Sequence, residues 1–154
     1  MVPRPVEPDA ARSLVTDYER SLSGDARRAE GVHYTPSVVS GPVLDLALAA
    51  LGRVPRTVCD PTCGGGAFLL TVADRLLADG VPAAEIVQER LIGMELDVEA
   101  VRIARSALSR WASDHGDRVE PAEVQVHQGD ALAVLPSAWP DRPAGGFDLV
   151  IGNP

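Results

Sequence analysis

Residues 57–70, Thr-Val-Cys-Asp-Pro-Thr-Cys-Gly-Gly-Gly-Ala-Phe-Leu-Leu, constrain the fold more than any other stretch. They read as a strand, a tight turn and the opening of a helix. Val58 and Cys59 are strand-type residues, and Asp60-Pro61 ends the strand. Gly64, Gly65 and Gly66 have no Cβ, so the backbone can take positive φ and let a ligand approach. From Ala67 an apolar helical pattern runs through Phe68, Leu69, Val72, Ala73, Leu76 and Leu77. A glycine turn feeding a helix start is a ligand site at the carboxyl end of a strand.

The chemistry of the turn narrows the ligand. A dinucleotide fingerprint needs a third glycine where this chain has Leu69. A P-loop needs Lys followed by Ser or Thr after the glycines, and none is there. Instead Asp60 precedes the turn. A carboxylate there repels a pyrophosphate and attracts an ammonium or sulfonium, the pattern of an S-adenosyl-L-methionine site.

The rest of the chain supplies a parallel α/β frame. Residues 10–23 make a helix with Leu14, Val15 and Tyr18 on one face, after an irregular lead. Thr35-Pro36 starts a second helix, with Thr as cap and Pro at the first position. It runs through Val38, Val39, Val43, Leu46, Ala47 and Ala50 to Gly52. Gly41-Pro42 either kinks it or restarts it with Ser40 as cap. The helix after the glycine turn ends at Asp79-Gly80, and Pro82 opens a short helix over 82–89. Residues 91–96 read as a second strand, ending in Glu95. Asp97 caps a helix whose face carries Val101, Ala104, Leu108 and Trp111. Residues 113–122 read as loop, 124–130 as a third strand, 136–146 as loop and 147–154 as a fourth strand. Strands alternating with helices imply a parallel sheet. A hydrophobic strand at the end with no helix after it reads as the front part of a longer protein.

Composition sets limits. The chain has 154 residues, 45% hydrophobic and 4% aromatic, so the core is built mostly from Ala, Leu and Val. Its net charge of −8 argues against this stretch alone binding nucleic acid. No signal pattern or long apolar run is present, which points to a cytoplasmic protein with no membrane partner. The two cysteines, Cys59 and Cys63, and the scattered His33, His115 and His127 do not make a metal set.

Five short motifs now stand in order over residues 31–154. Together they resemble the cofactor-binding half of the catalytic domain of adenine-specific DNA methyltransferases, of the restriction-modification and phage-defence type. His33-Tyr34-Thr35-Pro36 is similar to the upstream motif that packs over the methionine end of the cofactor. Asp60 through Phe68, with Cys63, Gly64 and Gly66, is similar to the glycine motif. Gly93-Met94-Glu95-Leu96-Asp97 places Glu95 where the family holds the ribose hydroxyls. Gly129-Asp130-Ala131-Leu132 matches the motif whose Asp meets the adenine amino group of the cofactor. Asn153-Pro154 matches the first half of the Asn-Pro-Pro-Tyr/Phe catalytic motif, whose second Pro and aromatic residue this sequence lacks.

The resemblance implies a Rossmann-like methyltransferase fold, α/β, with a parallel sheet of about four strands, helices on both faces and an N-terminal helical segment, incomplete at its C-terminal side. It divides the chain into a lead and helix over 1–30 and a cofactor-binding part over 31–154. It implies S-adenosylmethionine as cofactor, DNA as a partner reached through regions outside this chain, and a specificity or restriction subunit as a possible companion. Residues 1–154 alone are expected to bind cofactor weakly at best and not to turn over.

The residue chemistry is consistent with those roles. Asp60 can hold a cationic group through a charge-assisted hydrogen bond, or simply cap its turn. Gly64 and Gly66 let backbone N–H groups face a ligand. Glu95, an acid closing an apolar strand, suits a diol, whereas Asp97 suits the helix cap. Asp130 can accept from an amino group or serve as a loop-start acid. Tyr34 and Phe68 fit core packing as well as cofactor contact. Cys63 reads as a small buried filler. The Asn153 side-chain oxygen and the Pro154 carbonyl are acceptors suited to an exocyclic adenine amino group, whose lone pair is delocalised into the ring. Two other readings stay open: a methyltransferase of protein glutamine or RNA, and a non-catalytic cofactor-binding module.

Overall fold

A computed structural model describes residues 9–22, 37–134 and 138–153, without the side chains of 37–39. The sheet is parallel throughout, in the order β3-β2-β1-β4. Its strands are β1 (Val58–Asp60), β2 (Leu91–Glu95), β3 (Val126–Gln128) and β4 (Leu149–Val150). The helices are α1 (Ala10–Ser21), α2 (Ser37–Leu51), α3 (Ala67–Ala78), α4 (Ala83–Glu85) and α5 (Val98–Asp114). From β1 the chain steps outward to β2 and β3, then returns to the far side of β1 as β4. The strand order therefore reverses between β1 and β4, where a parallel sheet opens a crevice at its carboxyl rim.

The elements follow from local chemistry. Asp97 accepts the Ala100 N–H at 2.7 Å and caps α5. The expected face of α5, Val101, Ala104, Leu108 and Trp111, is buried. α3 starts at Ala67 and ends before Gly80, whose φ of +87° lets the chain turn back. Leu69, Leu70, Leu76, Ile86, Leu91 and Leu108 are fully buried between the helices and the sheet.

Several elements differ from the sequence reading. α2 is one helix across Pro42, with no restart at Ser40. Ser40 is buried and its hydroxyl lies 3.2 Å from the Thr71 hydroxyl on α3. α2 is apolar almost all round, so its pattern does not select a buried stripe. Leu44 is buried, whereas Val43 and Leu46 are 43% and 74% exposed. On α1 the buried residues are Ala11 and Val15, and Leu14 lies outside at 39% exposure. The 82–89 segment is a single turn, α4, that widens into a π-turn over Ile86–Arg90 and runs directly into β2. Arg90 fastens that turn by donating to Glu85 Oε1 and to the Pro55 carbonyl. α5 continues to Asp114, into the stretch read as loop, and Pro121–Glu123 forms a 3-10 turn. β4 is only two residues long, although Ile151 N–H still donates to the Cys59 carbonyl at 2.9 Å.

Candidate cofactor site

The carboxyl rim is assembled from the strand tips. Pairing sets Asp60 beside Gly93 on β2 and Glu95 beside Gln128 on β3. Asn153 lies two residues past the last ladder bond of β4. Asp60, Glu95, Asp130 and Asn153 thus share one edge of the sheet.

The glycine loop is stitched to β2 at two points. Cys63 N–H donates to the Met94 carbonyl at 3.0 Å, and Gly64 N–H donates to Glu95 Oε2 at 2.9 Å. The other oxygen of Glu95 accepts Asp97 N–H at 2.9 Å. A carboxylate offers about four acceptor directions, so capacity for a further donor pair remains. Gly64 has φ +52° and open space where a Cβ would stand, the condition for close approach of a ligand. Gly66 has a different task. Its φ is +92°, its N–H donates to the Cys63 carbonyl, and a Cβ there would lie 3.2 Å from Ala104 Cβ on α5. The expectation that both N–H groups face a ligand therefore meets a loop that has tied them internally, one to Glu95 and one within its own turn.

Asp60 is 1% exposed. Its Oδ1 accepts the Thr62 N–H at 3.1 Å. Burial pushes its pKa up to about 7; the Thr62 hydrogen bond opposes this, and the Glu95 carboxylate adds to it. The carboxylate also explains Gly152, because a Cβ at that position would run into Asp60 Oδ1. Gly93 is explained similarly by Cys63, whose Sγ would lie 2.9 Å from a Cβ there. Cys63 is buried and its thiol pKa is pushed well up, first by burial and then by Asp60 and Glu95, so it is a packed thiol and not a nucleophile. Burial, with Asp60 adding to it, likewise raises Cys59 to about 12.

A cleft of about 50 Å³ joins Asp60, Thr62, Gly64, Phe68 and Asn153 to Tyr18 and Glu19 of α1. The structure thus brings Asp60, Cys63, Gly64, Phe68 and Asn153 together, with Glu95 bonded to the loop that forms the wall. Leu96, at 67% exposure, stands open on the rim beside Glu95. Asp130 is exposed and Oδ1 accepts the Leu132 N–H at 2.9 Å, within a turn that includes Ala131. Tyr34, Thr35, Pro36 and Pro154 lie outside the described residues. The sequence alone does not mark Tyr18 and Glu19 as site residues. The helical spacing from Ala11 through Val15 marks Tyr18 as inward-facing, but nothing local indicates a cleft 42 positions ahead.

The residues fit a cationic nucleoside. A buried carboxylate with a high pKa is matched by a positive group, and the open side of Gly64 gives access beside the Glu95 carboxylate. Among the described residues, no cluster of His, Cys, Asp or Glu can hold a metal ion, and no helix is long and apolar enough to cross a membrane.

A parallel sheet in this order, with a glycine loop after β1 and an acid at the tip of β2, defines a Rossmann-like methyltransferase fold. The fold is similar to an O-methyltransferase from Bacillus cereus in complex with SAH, with a TM-score of 0.54 at 20% identity over 97% of this chain and 56% of that one. It is also similar to DrdV in its DNA complex, with a TM-score of 0.52 at 20% identity over 78% of this chain and 12% of that one. A sequence model of the N-6 DNA Methylase family matches residues 14–154, and the chain belongs to that family, whose cofactor is S-adenosylmethionine. The Type II methyltransferase M.VspI of Vibrio sp. (strain 343) is 34% identical over 116 residues, 72% of this chain. The chain spans 26% of the length of that relative.

Proposed function

We propose that this chain is the cofactor-binding part of a site-specific DNA methyltransferase that moves a methyl group from S-adenosylmethionine to the exocyclic amino group of adenine. The observation that carries the reading is the convergence of Asp60, the glycine loop and Asn153 on one cleft at the strand-order reversal. The DNA-methylase family match favours DNA over protein glutamine or RNA. A cytoplasmic location follows from such a substrate. DNA is engaged by regions beyond this chain, with a specificity or restriction subunit as a further partner, and residues 1–154 alone do not turn over.

S-adenosylmethionine supplies an activated methyl group on a sulfonium. Asp60 holds the cationic end of the cofactor, and Glu95 accepts from its ribose hydroxyls. Leu96 would pack against its base, and Asp130, with Ala131 beside it, would accept from the base amino group. By the family resemblance, Tyr34, Thr35 and Pro36 would cover the methionine end. Asn153 Oδ1 and, by the family resemblance, the Pro154 carbonyl would accept hydrogen bonds from the target amino group and orient its lone pair. No side chain needs to remove a proton first. The contribution of the chain is orientation and electrostatic stabilisation of an in-line displacement. The target base must leave the duplex to reach this rim.

Calorimetric titration with S-adenosylmethionine tests the site. Glu95→Gln is expected to weaken binding about 10- to 100-fold, because the amide has a single acceptor oxygen, which can hold only one of the Gly64 and Asp97 N–H groups, and no second acceptor for the ribose. Equal affinity for the wild-type chain and Glu95→Gln would remove Glu95 from the site.

A further inference from the structure

α1 is tied to the β2 tip by a hydrogen bond from Tyr18. The Tyr18 hydroxyl donates to Asp97 Oδ1 at 3.2 Å, the same oxygen that caps α5. Asp97 N–H is held by Glu95 Oε1, and Glu95 Oε2 holds Gly64 N–H. A continuous chain of hydrogen bonds therefore runs from α1 through Asp97 and Glu95 to the glycine loop. The same ring presses on that loop, because a Cβ on Gly65 would lie 3.5 Å from Tyr18 Cδ1 and 3.2 Å from Val15 Cγ1. Tyr18 also lines the cleft with Asp60, Phe68 and Asn153.

We propose that Tyr18 is a positioning residue for the cofactor: its hydroxyl fixes Asp97 and thereby the Glu95 carboxylate, while its ring fixes the glycine loop. The inference rests on the cofactor site proposed above. A role confined to docking α1 is a poorer account of the hydroxyl, because α1 has separate anchors. Ala11 and Val15 are buried, and Arg12 donates to Asp74 at 2.6 Å. Asp74 in turn accepts the Trp111 indole N–H at 2.8 Å, tying α1, α3 and α5 together at the opposite end of α1. Removing one hydroxyl leaves all of these in place. What it takes away is one of the two donors on Asp97 Oδ1, leaving the Ala100 N–H alone to hold a carboxylate that sits one bond away from the acid assigned to the ribose.

The test is a double-mutant cycle read by calorimetry with S-adenosylmethionine, with thermal melting measured on each protein. Tyr18→Phe is expected to stay folded, melting only a few degrees below the wild-type chain, and to weaken binding about 3- to 10-fold, the range of one lost hydrogen bond. In the Glu95→Gln background the same substitution should cost nothing further, because its effect passes through that carboxylate. A Tyr18→Phe protein that binds as the wild type, or whose loss simply adds to that of Glu95→Gln, would overturn the inference and leave the cofactor site standing. Run on the full-length protein, a wild type with no measurable affinity would overturn the site itself, and the inference with it.

Discussion

Asp60→Asn is expected to remove cofactor binding and, in the same protein, to raise stability at neutral and alkaline pH. In the unfolded chain an Asp titrates near pH 4. In the fold Asp60 keeps its proton up to about pH 7, because burial opposes the charge and Glu95 repels it. Between these values the unfolded chain has lost a proton that the folded chain retains. Stability therefore falls as pH rises through this window, and above it the full cost of the buried charge is present. Asn at this position can still accept from Thr62 N–H but carries no charge. The variant should match the wild type near pH 4 and exceed it by roughly 1–3 kcal/mol at pH 8. Cofactor affinity should move the other way. A cationic group stabilises the ionised carboxylate, so wild-type binding strengthens as pH rises towards about 7. Asp60→Asn should lose about 100-fold or more in affinity and most of that pH dependence. Denaturant melts and titrations at pH 5 and pH 8 check both halves. A variant destabilised at pH 8, or one binding like the wild type, would refute the role given to Asp60.

Asn153→Ala is expected to stop catalysis while sparing the cofactor. Asn153 follows a strand tip fixed by the Ile151–Cys59 bond and by the close fit of Gly152 against Asp60. That fit places an amide next to the carboxylate cleft without making it the main anchor of the cofactor. Its carbonyl oxygen gains most when the amino group becomes tetrahedral and its N–H groups turn outward. Loss of one such acceptor should lower kcat by about 100- to 1000-fold in the full-length protein. Affinity for S-adenosylmethionine should stay within about threefold, the mark of an interaction made chiefly in the transition state. Single-turnover methylation of adenine-containing DNA, with cofactor titration alongside, separates the two effects. A variant with unchanged kcat and weakened binding would make Asn153 a cofactor ligand instead.

Much of this arrangement is legible from spacing and local chemistry. Asp97 belongs to the cap and Glu95 to the strand tip because an Asp reaches its own N3 amide and a longer acid does not favour that position. The buried stripe of α5 follows from its period. The turn at Gly80 follows from the need for positive φ. Other features depend on contacts between distant residues. α2 carries apolar residues on nearly every side, so only its packing on α3 selects Ser40 and Leu44 as the inward face. The π-turn before β2 reflects a register that no local preference encodes. The sequence shows three glycines in a row without distinguishing them. Gly64 leaves space, Gly65 admits α1 and Gly66 admits α5. Tyr18 reads as one more inward-facing residue, since its tie to Asp97 spans 79 positions.

Backbone amide resonances followed during titration with the cofactor report whether the strand tips hold S-adenosylmethionine. Saturable shifts are expected at Gly64, Gly65, Leu96 and Asp97, where the loop and the β2 tip exchange hydrogen bonds. Shifts confined instead to the shallow groove of Val98, Arg102, Arg105 and Pro121 on the outer side of α5, or no shifts at millimolar cofactor, would contradict binding at the strand tips.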